Sequence, residues 1–295
     1  MPVLSFGVLL FGLMACAALV TMLVLRASRR PAVEVVDIPR AVARRTAVLR
    51  WAGVTIGLIV GIIAARSGEL GTGLLLAAPL FGLCTLLGVL AGELTVRPPR
   101  GPTRTAAVEV RHIHDYLPRQ LSRAVAAAGG VLLVLLTLTT AAGSPDDMGR
   151  PGRSLGRQCT SDMFESHGPW PGLFYTGQLA VIVLVGLLMA YVAVRTIVRR
   201  PRSGSTSDLA GDDALRRRAA RTVTGGVGIL IAIPLAGVSL TAAGGLFGIS
   251  CAPTWWTVTG WGLLALVPAS LAMASWCVAT VFTSLDRADP RVRTP

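Results

Sequence analysis

Apolar residues along this chain follow neither the alternation of a strand nor the one-sided stripe of a soluble helix. They come in seven runs, at 3–25, 51–65, 70–92, 124–144, 173–194, 222–243 and 257–283, and no run contains Asp, Glu, Lys, Arg or His. A helix rises about 1.5 Å per residue, so roughly twenty such residues cross the ~30 Å of hydrocarbon in a bilayer. The run at 51–65 is short for that purpose unless its helix starts further back, towards Arg44. With no water in the bilayer to satisfy backbone groups, each run must be a helix. The pattern predicts an all-α polytopic transmembrane helical bundle of about seven spans, forming a single transmembrane domain over 1–295.

Charge is distributed unequally between alternate connections. Those at 26–50, 93–123 and 195–221, together with the tail, hold 24 Arg against 10 acids; those at 66–69, 143–172 and 244–256 hold four Arg against five acids. Arg-rich connections stay cytoplasmic, so an odd number of spans puts the N-terminus out and the C-terminus in. Indole rings prefer the membrane interface, and Trp170, Trp255, Trp256 and Trp261 cluster where the fifth and seventh spans would reach the outer one. The first run has no basic residues ahead of it and is too long for a cleaved leader, so it reads as a span.

Three Arg-rich connections end alike: Asp37 with Pro39, Arg40 and Arg44; Asp115 with Pro118, Arg119 and Arg123; and Asp213 with Arg217 and Arg221. An Asp N-cap, a Pro in the first turn and an Arg at headgroup level would each start a helix before it enters lipid. The resulting layout is one helix plus three hairpins. Membrane-edge chemistry alone selects these residues, so the likeness does not require duplication.

Composition changes the picture little. The net charge of +13 would suggest nucleic acid in a soluble protein, but all 28 basic residues are Arg and lie almost wholly between the apolar runs. That placement points to topology and to anionic headgroups of the lipid bilayer, not to a nucleic-acid partner. A chain without Lys and rich in Ala, Val, Leu and Gly resembles uncharacterised polytopic membrane proteins of high-GC actinobacteria. The resemblance implies a bacterial plasma membrane, and it carries over no functional residue.

The densest titratable cluster is Glu109, His112, His114 and Asp115, on the cytoplasmic side, with both His on one face if the segment is extended. Two His without a third ligand is also what a basic segment beside headgroups would contain. Cys159 and Cys251 fall in the two longest outer connections, facing an oxidising space, where they either form a disulfide or remain two free thiols. Asp146, Asp147, Asp162, Glu165 and His167 share the outer segment 143–172, in no established ligand spacing, and read as solvated loop residues. No nucleophile elbow, phosphate loop, zincin or CxxC motif occurs, so no catalytic, cofactor-binding or metal residue and no cofactor is assigned.

Gly53, Gly57 and Gly61, and Gly88 with Gly92, recur four apart, the spacing that lets membrane helices approach closely. Pro79, Pro234 and Pro268 lie inside spans and would bend them. Proton and ion carriers usually keep ionisable groups within their spans, and these runs have none. The chain therefore reads as a non-catalytic scaffold or accessory subunit with a membrane protein partner. A permease for neutral or lipophilic molecules is the alternative, and a membrane enzyme using His112 and His114 comes third.

Overall fold

The computed structural model describes residues 40–67, 72–95, 116–199 and 209–283. Six helices and one hairpin follow in order: α1 (Arg40–Arg66), α2 (Thr72–Thr95), α3 (Arg119–Ala142), β1 (Leu155–Thr160), β2 (Met163–His167), α4 (Leu173–Arg199), α5 (Leu209–Phe247) and α6 (Thr254–Thr283). All six helices are long and apolar enough to cross a membrane, and they match the second to seventh predicted runs. The predicted first span, 3–25, lies outside the described residues, as do Glu109, His112, His114 and Asp115.

The helices outrun the apolar runs that predicted them. α1 starts at Arg40, so the short run at 51–65 is only the distal part of a 27-residue helix. α5 has 39 residues, about 58 Å, and extends well past any hydrocarbon core. The expected helix starts are corrected in detail. Pro118 itself occupies the N-cap of α3 in an extended conformation, with the backbone N–H of Ser122 donating to its carbonyl. Asp213 falls inside α5, four residues after Leu209, so it is not an N-cap.

α5 is the hub of the bundle: 78% of its apolar window is buried, against 22% for α1 at the periphery. Small residues on and around α5 admit its neighbours. Gly226 takes Leu86 of α2, Gly228 takes Cys277 of α6 and Val125 of α3, and Leu230 packs against Gly82 of α2 and Gly186 of α4. The core is therefore a column of Leu86, Val89, Val223, Ile229, Leu230 and Val281, all fully buried. Ile59 and Ile63 on α1, Leu133 and Leu138 on α3, and Leu184 and Leu188 on α4 remain more than half exposed. An apolar belt of this size is stable against lipid and not against water.

α1 and α2 pack backbone to backbone, the close approach that the glycine spacing predicted, and the structure shows that the neighbours are two helices of this chain. A Cβ on Gly53 would stand 2.8 Å from both the Cys84 carbonyl oxygen and the Gly88 Cα, and one on Gly88 would stand 2.6 Å from the Leu49 carbonyl oxygen. Only glycine permits that approach.

One connection departs from the all-α expectation. The segment 143–172, read as a solvated loop, folds into an antiparallel hairpin with Leu155 opposite His167, Arg157 opposite Glu165 and Gln158 opposite Phe164. The register shifts between Gln158 and Thr160, leaving Cys159 as the extra residue of a bulge. Leu155, Trp170, Ala242, Leu246 and Ile249 form a small second apolar cluster beneath it. That cluster supplies the burial an isolated two-stranded hairpin lacks.

Candidate functional site

Polar groups converge at the two ends of the bundle, and both sets join helices that are distant in sequence. At the arginine-rich end, Arg50 of α1 is 1% exposed and forms an ion pair with Glu93 of α2. Its Nη1 also donates to the Val281 carbonyl of α6 at 2.8 Å. The glycine contact explains the meeting. Gly53 against Gly88 sets the antiparallel register of α1 and α2, so Arg50, three residues before Gly53, comes level with the end of α2 where Glu93 stands.

Nearby on α5, Arg216 is 3% exposed and donates from Nη1 to the Val198 carbonyl at the end of α4, 2.7 Å away. Two residues on, Arg218 is half-buried within electrostatic reach of both Arg50 and Glu93. Thr222, fully buried one turn later, donates its hydroxyl back to the Arg218 carbonyl at 3.0 Å. This corrects the reading of charge-free spans. The runs themselves hold no charge, but their helices continue into a buried polar layer at the end of the bundle. Arg50 and Glu93 adjoin their runs directly, and the glycine register was the signal that would have paired them.

At the opposite end, Cys159 in the hairpin bulge and Cys251 between α5 and α6 lie at disulfide distance, with Cα atoms 5.7 Å apart. The structure thus brings together the two cysteines left open between bridge and free thiols. Glu165 supports the same junction: its Oε2 accepts from the Ser250 backbone N–H at 3.0 Å and from the Ser250 hydroxyl at 2.8 Å. Arg157 stacks over Trp256 at 5.4 Å. Trp170 is buried against Gly245 and donates its indole N–H to the Thr139 carbonyl at 2.8 Å.

Of the acids in 143–172 expected to be merely solvated, Asp146 and Glu165 have defined partners, whereas Asp147 and Asp162 are exposed. Asp146 accepts from the backbone N–H groups of Arg150, at 2.8 Å, and Met148, at 3.0 Å, and forms an ion pair with Arg153. Desolvation works to raise the Asp146 carboxyl, but these hydrogen bonds outweigh it and hold the group below the ordinary carboxylate range. Arg153 is pushed up by its bond to Asp146 and by the Tyr175 hydroxyl, 3.4 Å from its Nε. His167 does not join the acids; its ring packs on Gly248.

Cys159, Cys251 and Glu165 place one ligand-type atom each within 4.8 Å of one another, a compactness a metal would require. Bonded to each other, the two sulfurs have no thiolate to offer a cation. What the arrangement does chemically is mechanical. One end is tied by an ion pair and carbonyl bonds across α1, α2, α4, α5 and α6, and the other by a covalent bridge from the α3–α4 connection to the α5–α6 connection. No family model matches the chain, and comparison with curated proteins and with solved structures finds no match.

Proposed function

We propose that this chain is a non-catalytic scaffold or accessory subunit of a bacterial plasma membrane, crossing it seven times with the N-terminus outside. The observation that carries the reading is the pinning of both bundle ends across helices. A carrier that alternates access rocks one group of helices against another, and both ties would have to stretch or break at every cycle. A scaffold benefits from the same ties because they present one fixed surface.

The orientation has support from two independent directions. The Cys159–Cys251 pair belongs to the Arg-poor end, and disulfides persist in the oxidising space outside a bacterial cytoplasm. Arginine bias assigns that same end to the outside. The hairpin would then be the outward-facing surface, with Met163 and Phe164 50% and 60% exposed near its turn. Apolar side chains displayed on a braced hairpin suit contact with an extracytoplasmic part of a membrane protein partner.

Photocrosslinking from position 164 in intact cells tests this reading. The expected result is one dominant crosslinked species, lost when Met163 beside it is changed to Ser. Proteoliposomes that swell in an isotonic neutral solute faster than empty ones, with no crosslinked species, would reverse it in favour of a permease.

A further inference from the structure

Arg218 is the polar group least accounted for by the fold. Its guanidinium is half-buried, yet among the described residues it forms no ion pair and no side-chain hydrogen bond. Arg50 stands within electrostatic reach and repels it. Among the described residues Glu93 is the acid that acts on it, and Glu93 is paired with Arg50. Among the described residues two guanidinium groups thus act beside one carboxylate, part-shielded from water, where an anion gains more than it would on an open surface.

The level in the membrane indicates which anion. Gly225 of α5 packs against Val281 of α6, whose carbonyl receives Arg50. Arg218 lies seven residues before Gly225, about 10 Å further along the helix axis towards the arginine-rich end. Apolar residues fill α5 from Val223 onward, so this displacement sets Arg218 at the boundary where phosphate groups of the lipid stand. Arg221, three residues on and exposed, shares a face of α5 with it.

We propose that Arg218, with Arg221 on the same helix face, binds the phosphate of an anionic phospholipid in the leaflet at the arginine-rich end of the bundle. The planar guanidinium presents parallel N–H donors that match two phosphate oxygens, and the paired Glu93 turns its charge to Arg50 instead of repelling the ligand. The site rests on the bundle standing in a bilayer and not on the scaffold reading.

Native mass spectrometry of the purified full chain, titrated with phosphatidylglycerol, phosphatidylcholine or inorganic phosphate, tests the site. Phosphatidylglycerol should be retained about tenfold more tightly than phosphatidylcholine, and Arg218→Gln should remove most of that preference. Arg123→Gln, the loss of one exposed charge on α3 at the same end, should change it by no more than about twofold. Arg218→Lys keeps the charge and removes the fork, so it should weaken retention by roughly threefold; this variant carries the test if Arg218→Gln fails to fold. Equal losses from Arg218→Gln and Arg123→Gln would mean only a diffuse basic field and would overturn the site. Displacement of the lipid by millimolar inorganic phosphate would overturn the assignment to a headgroup.

Discussion

Breaking the Arg50–Glu93 pair should be among the most damaging single changes available in this molecule. The two side chains are 1% and 8% exposed, and Arg50 also donates to the Val281 carbonyl. In Glu93→Gln the guanidinium stays buried without its counter-charge, which typically costs about 3–5 kcal/mol. At about 1.4 kcal/mol per factor of ten, the folding equilibrium shifts by at least roughly a hundredfold. Replacing both partners, Arg50→Met with Glu93→Leu, removes the desolvation penalty along with the attraction and should recover most of the loss. The assay is reversible unfolding of detergent-solubilised protein across the full double-mutant cycle. A loss below about 1 kcal/mol in Glu93→Gln, or a double variant as unstable as the sum of the singles, would refute a buried clamp.

Three further outcomes are expected. Cys159→Ser or Cys251→Ser opens a loop with a sequence separation of 92; chain entropy sets an upper limit of about 4–5 kcal/mol on the loss, reduced because the spans stay inserted in the unfolded state. Reductant should therefore lower the melting temperature of the wild type and leave the Ser variants unmoved. Gly53→Ala and Gly88→Ala drive a methyl into backbone atoms 2.8 and 2.6 Å away and should each destabilise by about 1–3 kcal/mol, whereas Gly130→Ala and Gly177→Ala meet nothing within 4 Å and should be close to neutral in the same unfolding assay. The Asp146 carboxyl is depressed in the folded chain, so its contribution is present above the unfolded pKa of about 3.9 and is lost as pH falls through its lower folded value. Amide protection over 146–154, taken relative to the intrinsic exchange rate at each pH, should fall in that acid window and stay constant there in Asp146→Asn.

Several features were legible because they depend on local composition. Spans follow from transfer of single residues into lipid, so α2 to α6 appeared close to where the apolar runs lie. The glycine seam was legible because four-residue spacing is a property of one helix face, but which helix it meets was not. Helix starts were less so: Asp213 resembles an N-cap, yet α5 begins before it, since nothing local stops a helix once it is favoured on both sides. The hairpin escaped notice because β1 and β2 have no strong alternation, and their stability comes from Trp170 and the end of α5 beneath them.

The sequence by itself determined the solvent of this protein, the number and kind of its described helices, and the charge asymmetry between its two ends. Each is a sum over neighbouring residues and needs no knowledge of what packs on what. Only the tertiary structure decided that Arg50 meets Glu93 and Val281, that Cys159 meets Cys251, and that Arg218 stands within electrostatic reach of the Arg50–Glu93 pair. These contacts join residues 43, 231 and 92 positions apart. Their geometry depends on helix register, and register is set where α1 and α2 touch through bare backbone at Gly53 and Gly88.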